Sequence, residues 1–192
     1  MTKLNEDLKQ LKRKIRDRDF QTNHGLANEV GYYIFQYDAK DELFLQDAIK
    51  SIASDSTIAT IGANIKVFNL FNIMIQEVDK FGYRDAFIDM EANSGIDEVI
   101  DQMNNIMEMN EEQNLIVRDI DSKLTDEPTI IFLTGVGEVF PLIRAHKVLN
   151  TMNQVIDRYP VVMFYPGKYD SVQLQMFGEL HEDNYYRAFP LN

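Results

Sequence analysis

Short apolar runs recur along the chain, and segments with helical spacing separate them. The runs at residues 30–38, 65–71, 128–135 and 160–167 are nearly continuous and rich in β-branched and aromatic side chains, which is typical of strands buried on both faces. A shorter run at residues 184–191 predicts a last strand at a sheet edge. Strands that alternate with helices predict an α/β fold, with a mainly parallel sheet of about five strands and helices on both faces.

The helices are predicted from aliphatic side chains that repeat at helical spacing. In residues 1–18 these side chains are Leu4, Leu8, Leu11 and Ile15, so this segment forms an amphipathic helix whose other faces are basic. We expect the leucine stripe to pack on the domain. Residues 40–54 form a second helix, and a third follows the second strand and ends near Gly82. A later helix begins at Phe140, with Pro141 in its first turn, where proline is tolerated.

Residues 84–127 contain no convincing strand. Isoleucine, valine and methionine repeat at helical spacing between Ile96 and Met107, which predicts an acidic helical insertion broken into two or three helices. We expect its methionines to lie in the core, although such flexible apolar side chains also line binding grooves. No repeat or linker divides the chain, so we predict one domain over residues 1–192.

Charge is distributed unevenly along this acidic chain, whose formal net charge is -12. Residues 1–18 carry seven basic and three acidic side chains, whereas residues 85–127 carry thirteen acidic side chains against Arg118 and Lys123. Two interpretations remain open: solvated surfaces of opposite sign, or an electrostatically steered contact with another protein. The net charge repels phosphate backbones on average, so nucleic-acid binding is restricted to the basic helix.

The absence of cysteine excludes disulfides, thiolate metal sites and cysteine nucleophiles. The N-terminus has no apolar segment of a signal peptide, and no stretch reaches 18 consecutive apolar residues. We therefore predict a cytoplasmic protein with no membrane partner.

Candidate chemistry concentrates in the last third of the chain. Gly135 and Gly137 follow a predicted strand and precede a predicted helix, but the third glycine of a dinucleotide-binding fingerprint is replaced by Phe140. A tight turn is one interpretation, and a nucleotide site is the other. Glu138 in this turn and Asp170 after the Pro-Gly turn of the next strand both follow strand ends, where open α/β sheets form binding crevices.

Neither a metal site nor a nucleophile is indicated. His24, His146 and His181 lack paired ligand spacing, and His146 is expected to be structural. No nucleophile elbow or phosphate-binding lysine motif occurs, so we predict no cofactor. Tyrosines near the last turns accompany a single arginine, a combination that anchors protein interfaces; these residues are Tyr165, Tyr169, Tyr185, Tyr186 and Arg187.

Four sequence blocks carry a resemblance to a known family. HGLANEVGYYIFQYDAKDEL, FLTGVGEVFPLIRAH, VVMFYPGKYD and LQMFGELHEDNYYRAF resemble the signature blocks of the BrxB family of BREX phage-defence systems, in the same order and over residues 20–192. The matching positions are Asn28, Glu29, Gly135, Gly137, Glu138, Pro141, Arg144, His146, Tyr165, Pro166, Gly167, Tyr185 and Arg187.

The resemblance implies a cytoplasmic accessory component of a multi-protein defence complex, without an established catalytic activity and with the alkaline-phosphatase-like PglZ protein as its expected partner. We therefore predict a non-enzymatic docking subunit. The candidate interaction residues are Glu138, Arg144, His146, Tyr165, Tyr169, Asp170, Tyr185, Tyr186 and Arg187. The alternatives are a degenerate P-loop-like nucleotide-binding domain at the Gly135–Gly137 turn, and nucleic-acid binding through residues 1–18.

Overall fold

A computed structural model describes residues 2–22, 31–110, 113–169, 174–177, 180–182 and 188–192. Its strands are β1 (Tyr32–Tyr37), β2 (Asn64–Asn69), β3 (Thr129–Thr134), β4 (Val161–Tyr169), β5 (Leu174–Met176), β6 (Leu180–Glu182) and β7 (Phe189–Pro190). Its α-helices are α1 (Lys3–Lys14), α2 (Arg18–Thr22), α3 (Glu42–Asp55), α4 (Ile58–Ile61), α5 (Leu70–Lys80), α6 (Arg84–Ser94), α7 (Ile96–Ile106), α8 (Leu115–Ser122), α9 (Val136–Val139) and α10 (Ala145–Val155). A 3₁₀ turn at Ala39–Asp41 precedes α3.

Five of the strands form a parallel sheet in the order β2-β3-β4-β1-β7. Tyr32 of β1 and Ile131 of β3 both lie opposite Val161 of β4, so β4 is central. The last part of β4 leaves this sheet and pairs with β5 antiparallel, and β5 pairs with β6. The predicted α/β class with a mainly parallel sheet of about five strands is confirmed.

Helices cover both faces of the sheet, because alternate side chains of each strand point to opposite faces. On the face here called the α1 face, Phe35 of β1 packs with residues of α1 and α3. On the opposite α10 face, Ile34 of β1 packs with residues of α5, α7, α8 and α10. The continuous apolar runs of the sequence are the consequence, because central strands are buried on both sides.

The N-terminal helix α1 packs its leucine stripe on the sheet. Leu4, Leu8, Leu11 and Ile15 are all buried, and Leu11 is 0% exposed. The predicted amphipathic helix is confirmed, and its basic side chains lie on the exposed side.

The acidic segment is helical and forms most of the crossover from β2 to β3. It contains α6, α7 and α8, and the structure has no strand among its described residues, as predicted. Met103, Met107 and Met109 are buried in the core of the α10 face, and Met90 packs against that core. The methionines of this segment therefore fill core space.

Three predicted boundaries are wrong for local reasons. β2 ends at Asn69 because the Asn69 side chain accepts a hydrogen bond from the Asn72 N–H and thereby caps α5. The helix expected from Phe140 begins at Ala145, since the residue before a proline is forced to be extended and Phe140 has ψ 137°. The Phe140–Pro141 peptide bond is cis. β4 continues through Pro166 and Gly167 instead of turning there.

No helix among the described residues is long and apolar enough to cross a membrane.

Candidate functional site

The glycine turn after β3 is tightly packed. Gly135 has φ 74°, in the left-handed region that glycine adopts without strain. A Cβ atom on Gly135 would lie 2.6 Å from Asn69 Oδ1, so the end of β2 touches this turn directly. Gly137 lies in α9, where a Cβ atom would come within 3.1 Å of Pro166 Cγ and 3.4 Å of the Phe177 ring. The turn therefore needs glycine for its conformation at one position and for close packing at the other.

The Glu138 carboxylate, just after β3, is hydrogen-bonded to the end of β2 and to helix α3. Gln46 Nε2 of α3 donates a 2.9 Å hydrogen bond to Glu138 Oε1, and Asn69 Nδ2 donates a 3.3 Å bond to Glu138 Oε2. Gln46 Nε2 also donates to Glu42 Oε1 at 3.0 Å, and the Tyr37 hydroxyl donates to Glu42 Oε2. A chain of hydrogen bonds thus runs from the end of β1 through α3 to the end of β2. The predicted position of Glu138 at the carboxyl edge of the sheet is confirmed.

The Tyr37 hydroxyl is the most perturbed group of this chain of hydrogen bonds. Burial raises its pKa above the ordinary value, and the hydrogen bond to Glu42 and the negative charges of Glu42 and Glu138 raise it further. Tyr37 is therefore a neutral hydrogen-bond donor at physiological pH. The Gln46 amide donates to both Glu42 and Glu138. The cluster therefore links helices from the two faces of the sheet at its carboxyl edge. Among the residues described, no group of three or more histidine, aspartate or glutamate side chains could hold a metal ion.

A second feature of the same edge is the antiparallel extension formed by β4, β5 and β6. Gly167 allows β4 and β5 to approach, because a Cβ atom there would lie 2.1 Å from the Gln175 carbonyl oxygen. Phe177, which follows β5, donates its backbone N–H to the Pro166 carbonyl at 2.8 Å. Phe177 has φ 53°, a conformation that is rare for a bulky residue. Its ring is 46% exposed and meets the Phe140 ring edge-on, with 6.3 Å between the centroids.

A groove of about 550 Å³ opens beside Phe177 at the carboxyl ends of β1 and β4. We call it the carboxyl-end groove; it is lined by Thr2, Lys3, Leu4, Asp7, residues 36–41, Gly167, Lys168 and Phe177. Lys3 lies 4.0 Å from Asp7, and Lys40 lies 2.7 Å from Asp38. The hydrogen bonds from Lys40 lower the pKa of the Asp38 carboxyl. Among the described residues, no carboxylate pairs with Lys168, which lines the groove.

Arg144 lies in a different place. It borders a polar groove of about 540 Å³ between α7 and the start of α10, with Glu98, Asp101 and Lys147. The Lys147 ammonium donates to Asn110 Oδ1 at 3.0 Å. The structure therefore does not bring Arg144 together with Glu138 in one groove, and acidic and basic side chains balance each other around it.

Three of the predicted interaction residues are in the core. Tyr165 is 0% exposed, Tyr169 is 5% exposed and His146 is 7% exposed. Tyr169 donates its hydroxyl hydrogen to the Ala188 carbonyl at 2.7 Å, which ties β4 to the residue directly before β7. Their assignment to a docking surface is wrong because the strand and helix that carry them are covered on that side. The expectation that His146 is structural agrees with its burial.

The other predicted positions lie outside the described residues. These are Asp170, Tyr185, Tyr186 and Arg187, together with the matching positions Asn28 and Glu29 and the histidine His24. Of His181, the structure describes only the backbone, which belongs to β6.

Several residues of this edge were missed by sequence reasoning. Asn69 had a recognisable signal, because an asparagine between a strand and a helix is a common N-cap. Gln46 and Glu42 had none, since an exposed polar position on an amphipathic helix resembles any other. Phe177 had no sequence signal either, because its special feature is a backbone conformation.

Comparisons with known proteins agree with one another. The family model described as "BREX protein BrxB" matches residues 66–191. The chain is 38% identical over 195 residues to the BREX protein BrxB of Bacillus cereus (strain H3081.97), covering 100% of this chain and 98% of that protein. It is 28% identical over 188 residues to the BREX protein BrxB of Escherichia coli O9:H4 (strain HS), covering 96% of this chain and 89% of that protein. No solved structure matches significantly. The family match over about two thirds of the chain and the full-length relative show that this chain belongs to the BREX protein BrxB family.

Proposed function

We propose that this chain is a non-enzymatic interaction component of a BREX phage-defence assembly. We further propose that its carboxyl-end groove receives a segment of another component, with the PglZ-type protein as the first candidate. Family membership supports a place in a BREX assembly. The observation that carries the second part is Phe177, a strained aromatic residue whose half-exposed ring borders the groove.

The backbone of Phe177 is costly to maintain. A non-glycine residue at φ 53° loses about 1–2 kcal/mol relative to the right-handed regions. Phe177 packs on Gly137 and Phe140 but is 46% exposed, so part of its surface faces solvent. Strain of this kind is concentrated at functional sites, where the surrounding structure holds a side chain in a working position. A ring held at the mouth of a groove is suited to anchor a partner.

One lysine of the groove favours an acidic partner segment. The lining has three lysines and three aspartates; Lys3 and Lys40 lie beside Asp7 and Asp38, whereas Lys168 has no carboxylate partner among the described residues. A segment that carries a carboxylate beside an apolar side chain would pair with Lys168 and cover the Phe177 ring. Such a contact buries an aromatic anchor next to a charge-assisted hydrogen bond, a combination that dominates the binding energy of many interfaces.

The test is Phe177→Asn, because asparagine tolerates a left-handed backbone but has no ring. The control is Phe81→Asn. Phe81 is 50% exposed and lies at the end of α5, and neither it nor α5 lines the groove. The BREX components would be expressed together with a tagged form of this chain. Two quantities would be measured: which components copurify with the tagged chain, and the phage resistance of the cells. We expect Phe177→Asn to remain folded, to lose its partner by at least about tenfold in affinity, and to lose resistance.

The control variant is expected to keep both partner and resistance. If folded Phe177→Asn chain copurifies with every component as the unmodified chain does, the groove is not the docking site. A partner that is lost equally from both variants would indicate a general loss of stability and would likewise contradict the assignment.

The packing of the glycine turn counts against nucleotide binding there. A phosphate would have to approach Gly137, where Pro166 and Phe177 are already within contact distance of a Cβ position. The Glu138 carboxylate at the same turn would repel the phosphate. Calorimetric titration with ATP, GTP and cyclic dinucleotides tests this alternative, and millimolar binding that Gly137→Ala removes would favour it.

Nucleic-acid binding is the second candidate function, and it is favoured by one observation. Lys9, Lys12, Arg13 and Arg16 lie on the exposed side of the N-terminal helical segment, opposite the buried leucines; we call them the basic stripe. Binding through the stripe would weaken steeply with salt. The test is Lys12→Gln combined with Arg16→Gln, because deleting residues 1–18 would also remove core leucines. Unchanged affinity of this variant for DNA and RNA would exclude the stripe.

A further inference from the structure

The two edge strands of the parallel sheet differ in how well they are protected from pairing with another strand, and the carboxyl-end groove does not explain this difference. One edge is β7, which has two residues and contains Pro190, a residue without a backbone N–H. The other edge is β2, which has six residues and no proline. Natural sheets protect their edges by short strands, prolines and charges. In this sheet β7 has such protection and β2 does not.

The outward side of β2 carries unpaired backbone groups. The Asn64 N–H donates to the Pro128 carbonyl at 2.8 Å, so the backbone of Asn64 faces β3. Backbone direction alternates along a strand, and therefore the N–H and C=O groups of Ile65 and Val67 and the N–H of Asn69 face away from β3. Within the described part of the chain, no residue bonds to these groups of Ile65 and Val67. The Asn69 carbonyl belongs to the first turn of α5.

The side chains of this edge do little to prevent pairing. Lys66 is the only charged residue of β2, and its ammonium is tied to the Lys123 carbonyl. Val67 is 41% exposed. Near the start of the strand Ile58, which is 44% exposed, donates its N–H to Asn64 Oδ1. An exposed β-branched strand of this length is a template for another strand.

We infer that β2 pairs antiparallel with β2 of a second copy of this chain, about a two-fold axis at Val67. The sequence of the strand, Asn-Ile-Lys-Val-Phe-Asn, suits this arrangement. Val67 lies opposite Val67 of the second copy, and Lys66 lies opposite Phe68. Centring the axis on Lys66 instead would place two lysines directly opposite each other, which is destabilising. The Val67 register makes about four backbone hydrogen bonds and extends the sheet through both copies.

The net charge of each copy opposes this pairing and determines how the pairing depends on salt. Each copy carries a formal charge of -12, so two copies repel each other at low ionic strength. Salt screens that repulsion without weakening backbone hydrogen bonds. Pairing through β2 therefore strengthens as salt is added, the reverse of an association driven by the basic stripe and the acidic helices.

The first test is analytical ultracentrifugation of the full chain at low and high salt. We expect a reversible dimer whose dissociation constant falls with salt. Val67→Pro removes an outward N–H and no bond to β3, so it is expected to raise the dissociation constant at least about tenfold. Val67→Thr keeps the N–H and the β-branched shape and is the matched control. Val67→Lys places like charges across the axis and serves if the proline variant is poorly folded.

Hydrogen exchange locates the contact. The Val67 amide is expected to gain protection as protein concentration rises, whereas the Lys66 and Phe68 amides, which face β3, are protected at every concentration. A monomer at the highest soluble concentration in high salt would overturn the inference. So would a dimer that both Val67→Pro and Val67→Lys leave unchanged, or one in which the Val67 amide gains no protection.

Discussion

Replacing Gly135 by alanine tests how much the turn after β3 contributes to stability. The backbone there has φ 74°, and an L-residue in this conformation costs about 1–2 kcal/mol. The new Cβ atom would also lie 2.6 Å from Asn69 Oδ1, so the Asn69 side chain must move. That movement breaks its 2.9 Å hydrogen bond with the Asn72 N–H, and losing a helix cap costs about 1 kcal/mol. We expect Gly135→Ala to lower the free energy of unfolding by about 2–3 kcal/mol.

Gly82 provides a matched control for this measurement. Its φ is 72°, and a Cβ atom there would have no neighbour within 4 Å. Gly82→Ala is therefore expected to lower the free energy of unfolding by the conformational cost alone, about 1–2 kcal/mol. Urea unfolding followed by circular dichroism gives both free energies, and each kcal/mol corresponds to about 2–4 °C in Tm for a domain of this size. Equal losses in the two variants would refute the reasoning, because the contact with Asn69 would then contribute nothing.

Three further predictions concern the hairpin, the pH dependence and the core. Gly167→Ala is expected to open the β4–β5 hairpin, because its Cβ atom would lie 2.1 Å from the Gln175 carbonyl oxygen; faster proteolysis at that end of an otherwise folded chain would be the readout, and an unchanged rate would contradict it. The raised pKa of Tyr37 means that the unfolded chain loses this proton first as pH rises. Stability should therefore be complete below about pH 10 and fall above it, by up to about 1.4 kcal/mol per pH unit, and Tyr37→Phe should make urea unfolding less dependent on pH there. Met103→Ala is expected to cost about 2–5 kcal/mol in the same assay, against a small effect of Ile96→Ala, since Met103 is 3% and Ile96 43% exposed; similar losses would contradict the assignment of Met103 to the core.

The strands of the parallel sheet were predictable because burial on both faces leaves an almost unbroken apolar run, as in β3. Helix α1 was predictable because its apolar side chains keep helical spacing. The boundaries near Pro141 and Pro166 were not predictable in the same way. A proline is compatible with a first helical turn, a tight turn or an edge strand, and neighbouring elements decide among these.

The candidate site was predicted only in part. Glu138 was identifiable because a polar residue after a buried strand lies at the carboxyl edge of a parallel sheet. Its partners Gln46 and Asn69 are 92 and 69 positions away in the chain, and no local pattern connects them to it. Tyr165 and Tyr169 resembled surface anchors because tyrosine is amphipathic, but β4 is central in the sheet and buries both rings.

The position of α1 and of α6, α7 and α8 on opposite faces of the sheet gives the molecule an electric dipole whose axis crosses the sheet. Despite its net negative charge, the chain will rotate so that α1 faces any strongly acidic surface and the α10 face turns toward a basic one. This alignment acts over about 10 Å at moderate ionic strength, before any contact forms. A chain oriented in this way can lie between two partners of opposite charge and present a different face to each.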